Sequence, residues 1–146
     1  MTRTDGAPLI AAATSSYPGL PGRDARPQLV GVLAEVVGFF TGSLGYTREL
    51  PAIGDNPPSD DLRKALDAWF GSARRETGDW VVVYYTGHAD VVGDDSLYLL
   101  TTDFERGQYV GTAFNLQQFG DLVLAELRRG ERRRVHNLLM LDVAAL

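Results

Sequence analysis

The chain contains no cysteine. That absence excludes disulfide staples and thiolate metal sites, and it leaves no thiol to act as a nucleophile. Lysine is nearly missing as well. Lys64 stands alone among many arginines, a bias from which no mechanism is read. Positive charge is in deficit overall: 14 Lys and Arg face 19 Asp and Glu, for a formal net charge of −5. A balance of that sign implies no nucleic-acid partner. No apolar run reaches the length of a membrane span, and Met1–Gly6 lacks the basic-then-apolar profile of a signal peptide. The expectation is a cytoplasmic protein with no membrane partner. Internal repeats and low-complexity tracts are missing too. So is a phosphate-cradling glycine loop, which argues against a flavodoxin-like small-ligand domain.

What remains is ordinary material for one domain spanning residues 1–146. The apolar fraction is 45% and the charged fraction 23%, values typical of a folded domain with a sizeable core. The organising stretch is Asp79-Trp80-Val81-Val82-Val83-Tyr84-Tyr85-Thr86-Gly87-His88-Ala89-Asp90. Its first half is β-branched and aromatic, the pattern of a strand buried on both faces in a parallel sheet. Its second half turns polar and carries one of only two histidines. A loop is expected from Val91 to Asp95.

Around it the chain alternates. A first strand is predicted over Pro8–Thr14 and a helix over about Ala25–Gly38, with Pro27 in its first turn and Phe39-Phe40 closing onto the core. Tyr46–Leu50 reads as a weak strand stopped by Pro51. Ser59-Asp60-Asp61 opens a helix running to about Arg75, its acids suited to the positive end of the dipole. Leu97–Leu100 is a short strand, Thr101–Thr112 is irregular, and a helix runs from Asn115 to about Arg129 with Gly130 as its stop. Val135–Leu141 reads as a second buried strand ending in Asp142-Val143-Ala144. This order predicts an α/β fold with a largely parallel central sheet and helices on both faces, a three-layer sandwich.

Carboxyl ends of parallel strands lie on one side of a sheet, where ligands and reactive groups gather. His88 and the segment Asp142–Ala144 sit at two such ends. A histidine there can serve as base for a neighbouring nucleophile, and backbone N–H groups there can stabilise an oxyanion. Blander readings stand beside these. His88 can be a capping or surface residue, and His88 with Asp90 makes only two ligands of a metal site. Asp142 can cap a turn. Asp24 can be the N-cap of the helix at Ala25. His136 reads as a surface residue, Asp94-Asp95 as a solvated loop, and the run Arg128–Arg134 as a solvated helix end rather than a nucleic-acid patch.

Taken together, Val82-Val83-Tyr84-Tyr85-Thr86-Gly87-His88-Ala89 and Leu138-Leu139-Met140-Leu141-Asp142-Val143-Ala144 resemble the caspase and metacaspase-like cysteine peptidases. That family joins an apolar strand ending in Gly-His-Gly to a second strand ending in Asp-x-Cys, with the histidine about fifty residues before the cysteine. Leu97–Asp103 resembles the strand and loop after the family's histidine. Leu20-Pro21-Gly22-Arg23-Asp24-Ala25 resembles a shortened metacaspase Leu-x-Gly-Cys-x-Asn-Asp-Ala segment, with Arg23 where Asn usually stands.

The resemblance implies a caspase-like three-layer fold and peptide-bond hydrolysis. It makes His88 the catalytic histidine and position 144 the nucleophile. Backbone N–H groups of Ala89 and residue 144 become the oxyanion donors, Ala89 replacing the usual glycine. It lines the specificity pocket with Asp142 and, as a second acid, Asp24. Two carboxylates there would select Arg or Lys before the scissile bond. No cofactor is implied, and whether calcium is needed stays open.

Position 144 is Ala, and a methyl group cannot attack a carbonyl. The chain is therefore expected to be an inactive form, either a Cys→Ala substitution or a natural pseudo-peptidase that binds peptides or proteins. Retention of both His88 and Asp142 favours the first. Because a caspase-like sheet continues past the nucleophile, a small subunit or continuing segment is expected to cover the last strand, which would otherwise be an exposed apolar edge.

Overall fold

A computed structural model describes residues 6–72, 80–93, 96–128 and 136–146. The predicted helix end near Arg75, the loop at Asp94-Asp95, Val135, the stop at Gly130 and the arginine run beyond Arg128 lie outside those residues. The elements follow in the order β1 (Pro8–Ala13), α1 (Leu29–Gly38), β2 (Thr47–Glu49), α2 (Ser59–Ser72), β3 (Trp80–Val92), β4 (Ser96–Leu100), α3 (Tyr109–Thr112), β5 (Ala113–Asn115), α4 (Leu116–Arg128) and β6 (His136–Ala145). Among the described residues no helix is long and apolar enough to cross a membrane.

The strands form one open, mixed sheet in the order β2-β1-β3-β4-β5, with β6 also paired to β3. The β1–β2, β1–β3 and β3–β6 pairings are parallel, and β3–β4 and β4–β5 are antiparallel. The expectation of a largely parallel sheet thus holds for three of the five pairings, and the β4–β5 side is antiparallel. The physical reason is the length of the connection: only three residues separate Val92 from its partner Ser96, too few for the crossover a parallel pair needs. Gly93, just after β3, adopts a positive φ of 68°, which glycine reaches without steric cost.

Strand β3 is the spine. Residues 81–89 are buried without interruption, as their apolar run requires. Val82 is bridged to Leu9 on one flank and Leu138 on the other. Ala89 is bridged to Leu99 and Ala145. So β1 and then β4 share one flank of β3, while β6 occupies the other.

Side chains alternate between two cores, because successive strand residues point to opposite faces. Ile10, Val83 and Tyr85 pack with Leu62, Leu66 and Phe70 of α2 and Phe119 of α4. Leu9, Val82 and Tyr84 pack with Leu33 of α1 and with Phe40 and Tyr46. Helices therefore cover both faces. Each fully buried Leu or Val contributes about 1.5–3 kcal/mol, so burial concentrates stabilisation in the β1–β3 centre.

Several predicted boundaries move. Helix α1 starts at Leu29 rather than Ala25, and Pro27 lies before it. Phe40 reaches the core but Phe39 is 55% exposed. Strand β3 does not give way to a loop at Val91; it runs on to Val92 because β4 pairs with residues 89–92. Strand β5, absent from the sequence reading, forms where Ala113–Asn115 pair with β4. Strand β6 does not end at Leu141 but continues through Asp142–Ala145. Nor is it buried: Leu138 is 42% exposed and Met140 36%. Pairing with β3 alone leaves its other edge without a described neighbour.

Candidate active site

His88 stands where β3 changes partners. Strand β1 runs beside β3 as far as Ala13, opposite Thr86, and Thr14 N–H still bonds to the Thr86 carbonyl at 3.0 Å. There the chain turns away, because the Asn56 side-chain oxygen captures the N–H groups of Ser15 (2.9 Å) and Ser16 (3.0 Å). Strand β4 joins only at Ala89. The backbone of His88 falls in the gap, and its N–H is taken by the Tyr17 hydroxyl at 2.8 Å. The predicted setting, a histidine just past a strand end, becomes a histidine inside a strand at the point where one neighbour replaces another.

The imidazole is buried, at 1% exposure. Its Nε2 lies 2.7 Å from the main-chain oxygen of Asp24. A carbonyl can only accept, so the proton of the neutral ring resides on Nε2 and Nδ1 carries the lone pair. That Nδ1 is buried and has no hydrogen-bond partner. Burying an unmatched acceptor is unfavourable, and the ring is held there by its surroundings. The Tyr17 ring packs against it with centroids 5.1 Å apart.

Across the β3–β6 rungs, His88 is directly opposite Ala144 and Thr86 opposite Asp142. Facing residues in neighbouring strands share a side of the sheet, so His88, Ala144 and Asp142 project to the α1 side. Ala144 and Asp142 are both exposed there. The Asp142 carboxylate accepts a long hydrogen bond, 3.3 Å, from the Tyr84 hydroxyl. Burial is the main cause raising the Tyr84 phenol above its ordinary range, and the adjacent Asp142 charge adds to it.

Asp24 reaches the site differently from the sequence expectation. It lies in a short 3-10 turn, Gly22–Asp24, and does not cap α1, whose N-cap is Gln28. The N-cap reading fails because the helix begins later. Its carbonyl holds His88, while its carboxylate oxygen Oδ2 is buried without a partner. Ala89 is 4% exposed and bridged on both flanks. The His88 N–H points away from β6, so by alternation the Ala89 N–H faces β6. It would serve an oxyanion only if the tip of β6 parted from β3.

Asp90, on the same side of β3 as His88, accepts a 2.5 Å hydrogen bond from Tyr109 and is committed to that contact. His136 is half-buried, its ring stacked on Trp80 at 4.6 Å, rather than simply a surface residue. Among the described residues no group of three His, Cys, Asp or Glu is arranged to hold a metal ion.

The sequence reading passed over a hydroxyl cluster behind His88. Tyr17 and Tyr85 both donate to the Leu100 carbonyl, at 2.9 and 2.6 Å. With that proton committed, Tyr85 accepts from the Thr14 hydroxyl at 2.7 Å. A Cβ on Gly87 would lie 2.9 Å from the Tyr17 oxygen and 3.0 Å from that of Tyr85. Glycine before His88 is thus needed for close approach. The available signals were Tyr17 in a polar loop and paired tyrosines in a strand.

A scan of protein-family models finds no match to this chain, and a search of curated proteins finds none either.

Proposed function

We propose that the chain is a caspase-like peptidase domain in which His88 and residue 144 form the catalytic dyad, present here without its nucleophile. The observation that carries this reading is the free, buried Nδ1 of His88 on the same rung and face as residue 144. The nitrogen facing a nucleophile must be the one that lacks a proton, and the Asp24 carbonyl selects that tautomer.

With cysteine at 144, Nδ1 would take the thiol proton. The thiolate would attack the substrate carbonyl, and the imidazolium would return the proton to the leaving amine. An acyl-enzyme thioester would remain, to be released by water activated at the same nitrogen. The exposed Asp142 carboxylate and the unpaired Asp24 Oδ2 support a preference for Arg or Lys before the scissile bond, since a cation would satisfy both. The uncovered edge of β6 is suited to a further strand from a small subunit or continuing segment.

The test is Ala144→Cys with fluorogenic peptides ending in Arg or Asp. Turnover of the Arg peptide that disappears in Ala144→Cys/His88→Ala supports the reading. Turnover of neither peptide by a folded Ala144→Cys protein overturns it. A second reading, a non-catalytic peptide-binding module, is favoured by an exposed methyl group at 144 two residues from the exposed Asp142 carboxylate. It requires the unaltered chain to bind an Arg-terminated peptide calorimetrically and Asp142→Asn to weaken that binding.

A further inference from the structure

We infer that Tyr17 is a positioning residue for His88, acting on both its backbone and its ring. The inference rests on the dyad reading for its catalytic consequence, but its geometry stands alone. At the break between β1 and β4, His88 N–H has no strand partner on that flank. The Tyr17 hydroxyl fills the gap, accepting from His88 at 2.8 Å and donating to Leu100 of β4 at 2.9 Å. One phenol thus joins the catalytic strand to the strand that succeeds β1 beside it.

The same residue supplies a wall. Its ring lies 5.1 Å from the imidazole at a 52° tilt, and it is itself 4% exposed, so it has little room to yield. With Nε2 held by Asp24 on a separate turn, the imidazole is fixed at its backbone, one ring atom and one side. Nδ1 is left as the only ring nitrogen free to meet residue 144. Burial raises the Tyr17 phenol above its ordinary range, so across neutral pH it stays protonated and can donate and accept at once.

Tyr85 provides the comparison. Its hydroxyl is also buried and donates to Leu100, but no hydrogen bond or ring contact joins it to His88. Removing either hydroxyl takes away a buried hydrogen bond; only Tyr17→Phe releases the histidine.

The experiment is long-range proton–nitrogen NMR of the imidazoles. It is tractable because the chain has two histidines and His136→Gln assigns the spectrum. The unaltered chain should show a protonated Nε2 and a bare Nδ1 at His88. Tyr17→Phe should shift both nitrogens toward the average of the two tautomers, while Tyr85→Phe keeps the single-tautomer pattern. In the Ala144→Cys background, Tyr17→Phe should lower kcat roughly 10²-fold with KM little changed, the usual scale for a misplaced catalytic group. An unaltered His88 spectrum in folded Tyr17→Phe overturns the inference, as does an equal change in Tyr85→Phe. If Ala144→Cys is inactive the dyad reading falls, and the spectra still decide the role of Tyr17.

Discussion

The two flanks of β3 present opposite solutions to the same problem. On one flank every residue of β1 is buried, and the flank continues into β4 through a chain of buried hydroxyls. On the other, β6 makes ten consecutive rungs with β3 yet has no residue in the buried class. Strand pairing is unbroken on the β6 side and interrupted at His88 on the other, yet the interrupted side is the one whose β1 side chains are fully enclosed. His88 belongs to both flanks: the Tyr17 hydroxyl and the Asp24 carbonyl hold its N–H and Nε2, its backbone is paired with Ala144 of β6, and its buried Nδ1 has no partner.

The comparison breaks most sharply if equivalent leucines are truncated on the two flanks. Leu9→Ala, at a site with 0% exposure, should cost about 2–5 kcal/mol in urea unfolding. Leu138→Ala, at 42% exposure, should cost less than about 1 kcal/mol. Similar values would mean that β6 is as enclosed as β1. Next in size is Gly87→Ala, whose new methyl meets two phenol oxygens at 2.9 and 3.0 Å. It should destabilise by about 1–3 kcal/mol and disturb the His88 imidazole spectrum together with the fold.

Alkaline pH probes the buried phenols, Tyr85 foremost. Burial raises the Tyr85 phenol well above its ordinary value and raises that of Tyr17. The folded state then keeps protons that the unfolded state releases near pH 10. Their contribution is intact below about pH 10 and is lost as pH climbs toward the raised values. Unfolding free energies measured from pH 8 to pH 11 should therefore decline, and decline less steeply in Tyr85→Phe. A flat profile would show that these phenols ionise without penalty. The smallest effect is expected from Leu138→Lys on the open edge, under about 0.5 kcal/mol. A larger loss would place that side chain in a covered environment.

Much of this arrangement was readable from residue patterns. The uninterrupted run from Val81 to Tyr85 marked a central strand because only a strand enclosed on both faces tolerates such a sequence. The spacing of Leu62, Leu66 and Phe70 marked one side of a helix. Pairing partners were harder. Nothing local says that Ala113–Asn115 should be a strand; it becomes one because β4 offers an edge. Nor does the sequence distinguish β6 from β3, since both are apolar runs ending in polar residues. By sequence Asp24 suits a helix cap, because acids often precede helices, but α1 starts later and the Asp24 carbonyl meets His88 instead.

Residue chemistry alone determined that no thiol is present, that a histidine follows one apolar run, and that an Asp-x-Ala segment follows another. Those are properties of order along the chain. Tertiary structure decided that His88 and Ala144 share a rung, that the ring proton sits on Nε2, and that a tyrosine from a loop completes the backbone of β3. Each of these depends on groups far apart in sequence, and their bonds exist only once the strands have taken their register.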